Sequence, residues 1–266
     1  MPAATATAPA PAPAAAACPN CQQPLADGPY CPHCGQQRPH RLSVPHLLHE
    51  LLHVFTHADK SIFGYAAQVL LHPGRVVADY LAGRRKRYFN PFQFLLIAVG
   101  LVTTLNLLLK FFEGTAAGVQ RGFRGRMPAA NLERVGEYFH YVGKYYNLWW
   151  LLLLLPLFAL VTWLVYHRRL NYAEAFFVHV VTGSAFHLWY LAGVFPLLWL
   201  THGNPGIYAS SFQNLMLLVY LVLVGRQGLQ LSWAGAIWRA TAVMALGMAL
   251  SWAINYVAFR WYVFGQ

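Results

Sequence analysis

The sequence predicts an all-α polytopic membrane protein of about five transmembrane helices, preceded by a small zinc ribbon and amphipathic juxtamembrane helices. Three observations carry this prediction. Of the 266 residues, 58% are hydrophobic and only 10% are charged, whereas soluble domains carry about 25% charged residues. Residues 92–109, 145–166 and 175–225 contain no formal charge, and each uncharged run reaches or approaches the roughly twenty residues a bilayer core demands. All four cysteines lie in two C-x-x-C pairs near the N-terminus. The apolar runs lack the alternation of barrel strands, so helices are the only spanning structure that satisfies their backbone in lipid.

Residues 1–17 hold only Met, Ala, Pro and Thr, a composition expected to form an extended, unpacked tail. They have no basic segment and no Leu-rich core, so the tail does not read as a signal peptide. Ala-Ala-Ala-Cys18 faintly resembles a lipoprotein cleavage site, but the apolar core that such a signal needs is missing. Residues 18–38 are the ribbon. Cys18-Pro-Asn-Cys21 and Cys31-Pro-His-Cys34 are separated by nine residues. Two such turns supply four soft thiolates in pairs, as a tetrahedral Zn²⁺ site requires. Gly35 follows the second pair, where a turn around a metal needs a permissive backbone. With no cysteine left over for a disulfide framework, the thiols point to a reducing compartment.

Residues 39–91 read as cytosolic amphipathic helices. In 42–57, Leu47, Leu48, Leu51, Leu52 and Phe55 share one face, with Ser43 as a cap and Pro45 in the first turn. A second apolar stretch runs over 60–71 and is broken by His72-Pro73-Gly74. A third short helix fits 75–82 and ends at Gly83. The transmembrane bundle follows in 92–266, with spans expected at about 92–112, 145–166, 175–200, 207–225 and 240–259. His202-Gly203-Asn204-Pro205-Gly206 is the turn that divides the long uncharged block.

Lys and Arg in short flanks set orientation. Arg84, Arg85, Lys86 and Arg87 stand directly before the first span, Arg168 and Arg169 between the second and third, and Arg226 and Arg239 between the fourth and fifth, while 201–206 has neither residue type. This places the N-terminus in the cytosol and the C-terminus outside, in a bacterial inner (cytoplasmic) membrane. The loop 110–144 dissents with six basic residues, softened by Glu113, Glu133 and Glu137.

The pattern C-P-N-C … C-P-H-C-G-Q, then Pro73-Gly74, Tyr80-Leu81-Ala82-Gly83-Arg84-Arg85, Tyr88 and Pro91, resembles a family of uncharacterised bacterial integral membrane proteins. In that family a zinc-ribbon head precedes a PG…YLxGxR…YxxP juxtamembrane segment. The resemblance covers about residues 18–110. It implies a membrane protein of unknown activity and brings no catalytic residues with it.

Three constellations bear on chemistry. His49-Glu50-Leu51-Leu52-His53 is an H-E-x-x-H sequence, which on a helix sets two imidazoles on one face as Zn²⁺ ligands, with Glu50 as general base. His46 or His57 could add a third nitrogen. Against this, seven of the twelve histidines fall between 33 and 72, and no third-ligand motif follows, so a solvated or headgroup-facing His stripe is the preferred reading. Arg84, Arg85, Lys86 and Arg87 suit anionic lipid headgroups, at about 1 kcal/mol each. A single juxtamembrane cluster is not the basic surface with interleaved aromatics that nucleic acid needs. Within the spans, His179 and His187 lie just over two turns apart and can face one neighbour, while Asn106, Ser251 and Asn255 are further polar groups. Such residues mark pathways or join helices, helped by small residues such as Gly183 and Gly247. Glu174 sits at a span entrance.

The expected function is therefore interaction or scaffolding. The ribbon carries structural zinc and forms a recognition knob for a protein partner, and the lipid bilayer is the second partner. The alternatives are a membrane-bound metallopeptidase using His49, Glu50 and His53, and a small-solute transporter built on the bundle.

Overall fold

A computed structural model of the chain describes residues 17–25, 28–38, 41–45, 62–108, 111–200 and 206–265. The described residues form helices and two isolated β-bridges in the N-terminal head, Ala17 with Pro24 and Tyr30 with Gln37. Residues 44–45 begin a helical turn, and the rest of the expected 42–57 helix, with His49, Glu50 and His53, lies outside the described residues.

Two short helices follow, α1 (Ile62–Leu71) and α2 (Pro73–Leu81). The break at His72 is a restart: Pro73 occupies the first turn of α2, where its missing N–H has no intrahelical partner to lose. The C-terminus of α2 is a Schellman motif. Gly83 takes φ +83°, its N–H donates to the Tyr80 carbonyl, and the Arg84 N–H donates to the Asp79 carbonyl. Both orphan carbonyls are thereby met. Helix α3 (Pro91–Leu108) begins the bundle, with Asn90 Oδ1 accepting from the Phe92 N–H at 2.9 Å.

The segment read as the loop 110–144 is a helical hairpin. Its arms are α4 (Phe111–Phe123) and the first half of α5 (Ala129–Tyr166), a continuous helix of 38 residues. Its described basic residues lie on α4 (Arg121), at the Arg124–Arg126 turn and on α5 (Arg134 and Lys144). At 1.5 Å per residue α5 is about 57 Å long, well beyond the roughly 30 Å of a hydrocarbon core, and its charged residues, Glu133, Arg134, Glu137 and Lys144, all lie in its N-terminal half. A π turn interrupts α5 at Trp150–Leu154. Next come α6 (Tyr172–Val194), which ends in a π turn and runs on into Phe195–Leu200, then α7 (Gly206–Leu223) and α8 (Trp233–Phe264).

Four of these helices, α3, α5, α6 and α8, are long and apolar enough to cross a membrane. Helix α7 stands where the fourth span was expected and carries no charged residue. Helix α6 is central, with 67% of its apolar window buried, and α8 is peripheral, with 17%. Leu101, Leu152, Leu164, Trp252 and Val257 are exposed on the outer faces. Such a continuous apolar exterior suits lipid rather than water.

One end of the bundle gathers α2, the Tyr166–Asn171 turn and the Val224–Gly228 π turn. A Cβ on Gly74 would lie 2.6 Å from the Leu223 carbonyl oxygen, so α2 reaches α7 only because position 74 is glycine. Tyr80 stacks on Phe177 of α6, with centroids 4.0 Å apart. Tyr65 packs edge-on against Phe94, with centroids 5.0 Å apart and only 2% of its area exposed.

Candidate metal centre and its anchor on the bundle

The four cysteine sulfurs lie within 4.8 Å of one another. The pairs that cross between knuckles, Cys18 with Cys34 and Cys21 with Cys31, are both 3.7 Å apart. A tetrahedral metal with M–S bonds of about 2.3 Å needs sulfurs about 3.8 Å apart, so the residues fit a tetrathiolate ion. The two knuckles repeat each other with an offset of thirteen residues. Cys18 N–H donates to the Gln23 carbonyl and Cys31 N–H to the Gln36 carbonyl. Gln22 N–H donates to the Cys18 carbonyl and Gly35 N–H to the Cys31 carbonyl. At the matching turn position Gln22 has φ +65° and Gly35 φ +67°. The second knuckle thus has the residue suited to left-handed backbone, and the first bears a strained one.

The thiols are not equivalent. At Cys34 burial works against ionisation, but the Asn20 side chain and the Gln36 amide outweigh it and bring the thiol down to about 6. At Cys21 the Gln23 amide favours the thiolate, yet desolvation and the three neighbouring thiols carry the group up to about 12. Four sulfurs so close cannot all ionise without a cation among them, so metal loading must displace protons.

The head is fixed to the bundle at two points. Gln36, next to the second knuckle and buried, accepts from the backbone N–H groups of Arg85 (3.1 Å) and Lys86 (2.7 Å) through its Oε1. The same residue closes the Cys31 turn with its backbone carbonyl. Further on, Arg41 makes a bidentate pair with Glu174, at 2.8 and 2.9 Å. Asn171 and Glu174 form a reciprocal capping box at the start of α6, and Asn171 Nδ2 donates to the Leu42 carbonyl. Glu174 is therefore more than an entrance residue: it caps α6 and ties residues 41–42 to it.

The basic cluster is engaged with the protein itself. Asp79 is buried and accepts from Arg84 Nη2 (2.5 Å), Arg87 Nη1 (2.9 Å) and Tyr88 Oη (2.6 Å). Burial alone would raise the Asp79 carboxyl, but the Tyr88 hydroxyl and the Arg84 guanidinium hold it below its usual value. Burial, followed by the Asp79 carboxylate, pushes the Tyr88 phenol up. Arg85 lies over the Tyr80 ring, 5.2 Å from its centroid. Lys86 is exposed. Sequence reading did not find Asp79 or Gln36. Asp79 lies five, eight and nine residues before its partners, so a lone acid before an Arg-rich turn was the available signal.

Among the polar groups of the spans, His179 and His187 both meet α5. His179 Nε2 lies 2.7 Å from Thr162 Oγ1, and the His187 ring packs edge-on to Trp150 at 4.6 Å. Asn106 accepts from Tyr190 Oη, and Asn255 donates to the Ser251 carbonyl.

Comparison with curated proteins and with solved structures gives no match. Residues 59–103 are similar to a family described as a protein of unknown function (DUF3667). That stretch holds α1, α2, the Gly83 turn, the Asp79 cluster and most of α3, so the similarity falls on the joint that receives the head.

Proposed function

We propose that this chain is an integral membrane scaffold whose cytosolic head binds one structural zinc ion and is held in a fixed attitude on the bundle to receive a protein partner. Gln36 carries the reading. Its backbone closes a metal knuckle while its side chain holds the amides of Arg85 and Lys86, so the metal site and the membrane joint share a residue. A twenty-residue ribbon has too little core to fold alone, and a metal would supply its folding free energy. The head would then be a rigid display rather than a tethered knob.

Orientation in a bacterial inner membrane, N-terminus inside and C-terminus outside, is supported by the grouping of Arg84–Arg87, Arg168, Arg169 and Arg226 at the head end of the bundle. Lys86, exposed in the cluster, is assigned to anionic headgroups, whereas Arg87 is paired with Asp79. Elemental analysis of the purified full chain tests the metal, with one zinc per chain expected and a reduced, folded, metal-free protein refuting it. Reporter fusions after residue 266 and in the 201–206 turn test orientation, with both expected to read as exported. A cytosolic readout at either place would refute the topology.

A further inference from the structure

A groove of about 320 Å³ runs between α3, α5 and α6 at the end of the bundle that carries the head. Phe92 and Leu96 of α3, Leu152 and Pro156 of α5, and Tyr172 and Val180 of α6 stand in its walls, and Val44 lines its head end. The walls are apolar save for the Tyr172 hydroxyl, which is turned to the Pro156 carbonyl at 3.4 Å. The groove opens on the outer face of the bundle, since Leu152 is 66% exposed and Val44 is exposed as well.

Position and chemistry restrict the occupant. From Tyr172 to Val180 helix α6 rises about 12 Å, most of the roughly 15 Å that one leaflet contributes to a hydrocarbon core. A polar solute would find no hydrogen-bond partners on these walls. A helix with its side chains is about 10 Å across, and 12 Å of it fills roughly 900 Å³, far more than the groove holds. A single acyl chain is slender, needs no partner and enters from the lipid side.

The rim of the groove selects among lipids. Arg41, three residues before Val44, is held by Glu174 on the first turn of α6, between the wall residues Tyr172 and Phe176. That pair uses two of the five N–H donors of the guanidinium, and the Arg41 side chain is 65% exposed. Arg168, four residues before Tyr172, is exposed. Position 41 and residues 166–176 together hold three arginines and one carboxylate, Glu174, so the rim keeps a positive excess after the Arg41–Glu174 pair is made. We propose that the groove holds one acyl chain of an anionic phospholipid from the head-side leaflet, with the lipid phosphate accepting from the exposed edge of Arg41. Arg41 then serves two anions, Glu174 and the lipid, and the clasp that ties residues 41–42 to α6 is completed by the membrane.

The test uses the full chain in phosphatidylcholine nanodiscs doped with phosphatidylglycerol that carries a photoreactive diazirine in mid-chain. Labelling should fall within Phe92–Leu96 and Leu151–Pro156 and should saturate. Unlabelled phosphatidylglycerol should displace it about fivefold more effectively than added phosphatidylcholine, the equivalent of roughly 1 kcal/mol for one cation near the surface. Arg41→Gln should erase that preference. Glu174→Gln keeps the capping box, in which glutamine serves as well as glutamate, and frees the Arg41 charge, so the preference should rise. A merely structural clasp would be loosened by both substitutions and would shift labelling in one direction. No labelling in either stretch, as when a second copy or another part of this chain fills the groove, would overturn the proposal. So would equal displacement by the two lipids, or a shift in the same direction in both variants.

Discussion

At the head end of the bundle, one carboxylate, Asp79, takes hydrogen bonds from two arginines and a tyrosine, and a second, Glu174, takes a bidentate arginine and caps a helix. In the middle of the same bundle no side chain carries a formal charge, and Gly183 and Gly247 set the packing by leaving space for Trp150 and Phe158. The first region is specified by polar geometry, the second by volume. The difference follows the solvent. Near the interface a charged pair gains specificity and keeps contact with water through its exposed members, whereas within the hydrocarbon layer an ion has no such outlet. Recognisable sequence motifs therefore collect at the joint. Most residues of the PG…YLxGxR…YxxP pattern have a structural task there: Pro73 starts α2, Gly74 admits α7, Tyr80 stacks on Phe177, Gly83 turns the chain, Arg85 lies over the Tyr80 ring, Tyr88 donates to Asp79, and Pro91 starts α3.

The comparison breaks most readily at the metal. Cys31→Ser should abolish stoichiometric metal binding, removing a folding contribution to the head on the order of 10 kcal/mol. Elemental analysis and proteolysis of the head would read this, and the bundle should remain folded, because its core is independent of the sulfurs. Next in size, Asp79→Ala should destabilise the joint by about 2 kcal/mol. Arg84 and Arg87 are 36% and 52% exposed, so they recover hydration when the carboxylate is lost, and the buried Tyr88 hydroxyl carries most of the penalty. Denaturant titration in detergent measures it.

Acid should act on the same group. The folded Asp79 carboxyl lies below its ordinary value, so its stabilising contribution is complete above the unfolded value of about 3.9 and is lost as pH falls through the lower folded value. A joint that loosened between pH 7 and pH 5 would contradict the Asp79 assignment. In the middle of the bundle, Gly247→Ala should cost about 1–3 kcal/mol through overpacking against Phe158, and this loss should be insensitive to pH. The smallest effect is expected at Gln22→Gly, which relieves the left-handed strain of the first knuckle and should gain up to about 1 kcal/mol in head stability.

The legibility of these regions in the sequence differs for the same physical reasons. The four cysteines could be read directly, because each C-x-x-C holds its ligands within one turn and the two turns are close in the chain. The membrane helices could be read from charge-free length. The anchors could not be read: Gln36 meets residues 85 and 86 some fifty positions away, and Arg41 meets Glu174 across 133 positions. No local periodicity encodes such pairs. One signal was available, since Asn171-x-x-Glu174 has the spacing of a capping box. The hairpin within 110–144 was taken for a loop because its six basic residues outweighed a helical pattern that tertiary packing stabilises, including Tyr262 donating to Glu137 and Tyr138 donating to the Asn255 carbonyl.

Gln36 joins the cysteine knuckle to the start of the bundle, through its backbone on one side and its side chain on the other. Amide hydrogen exchange at Arg85 and Lys86, in the full chain in nanodiscs, reports that coupling most directly, because both N–H groups donate to the Gln36 side chain. With metal bound, both amides should exchange slowly, and chelation should speed them while the amides of α6 remain protected. Exchange at Arg85 and Lys86 that is the same with and without metal would contradict the account.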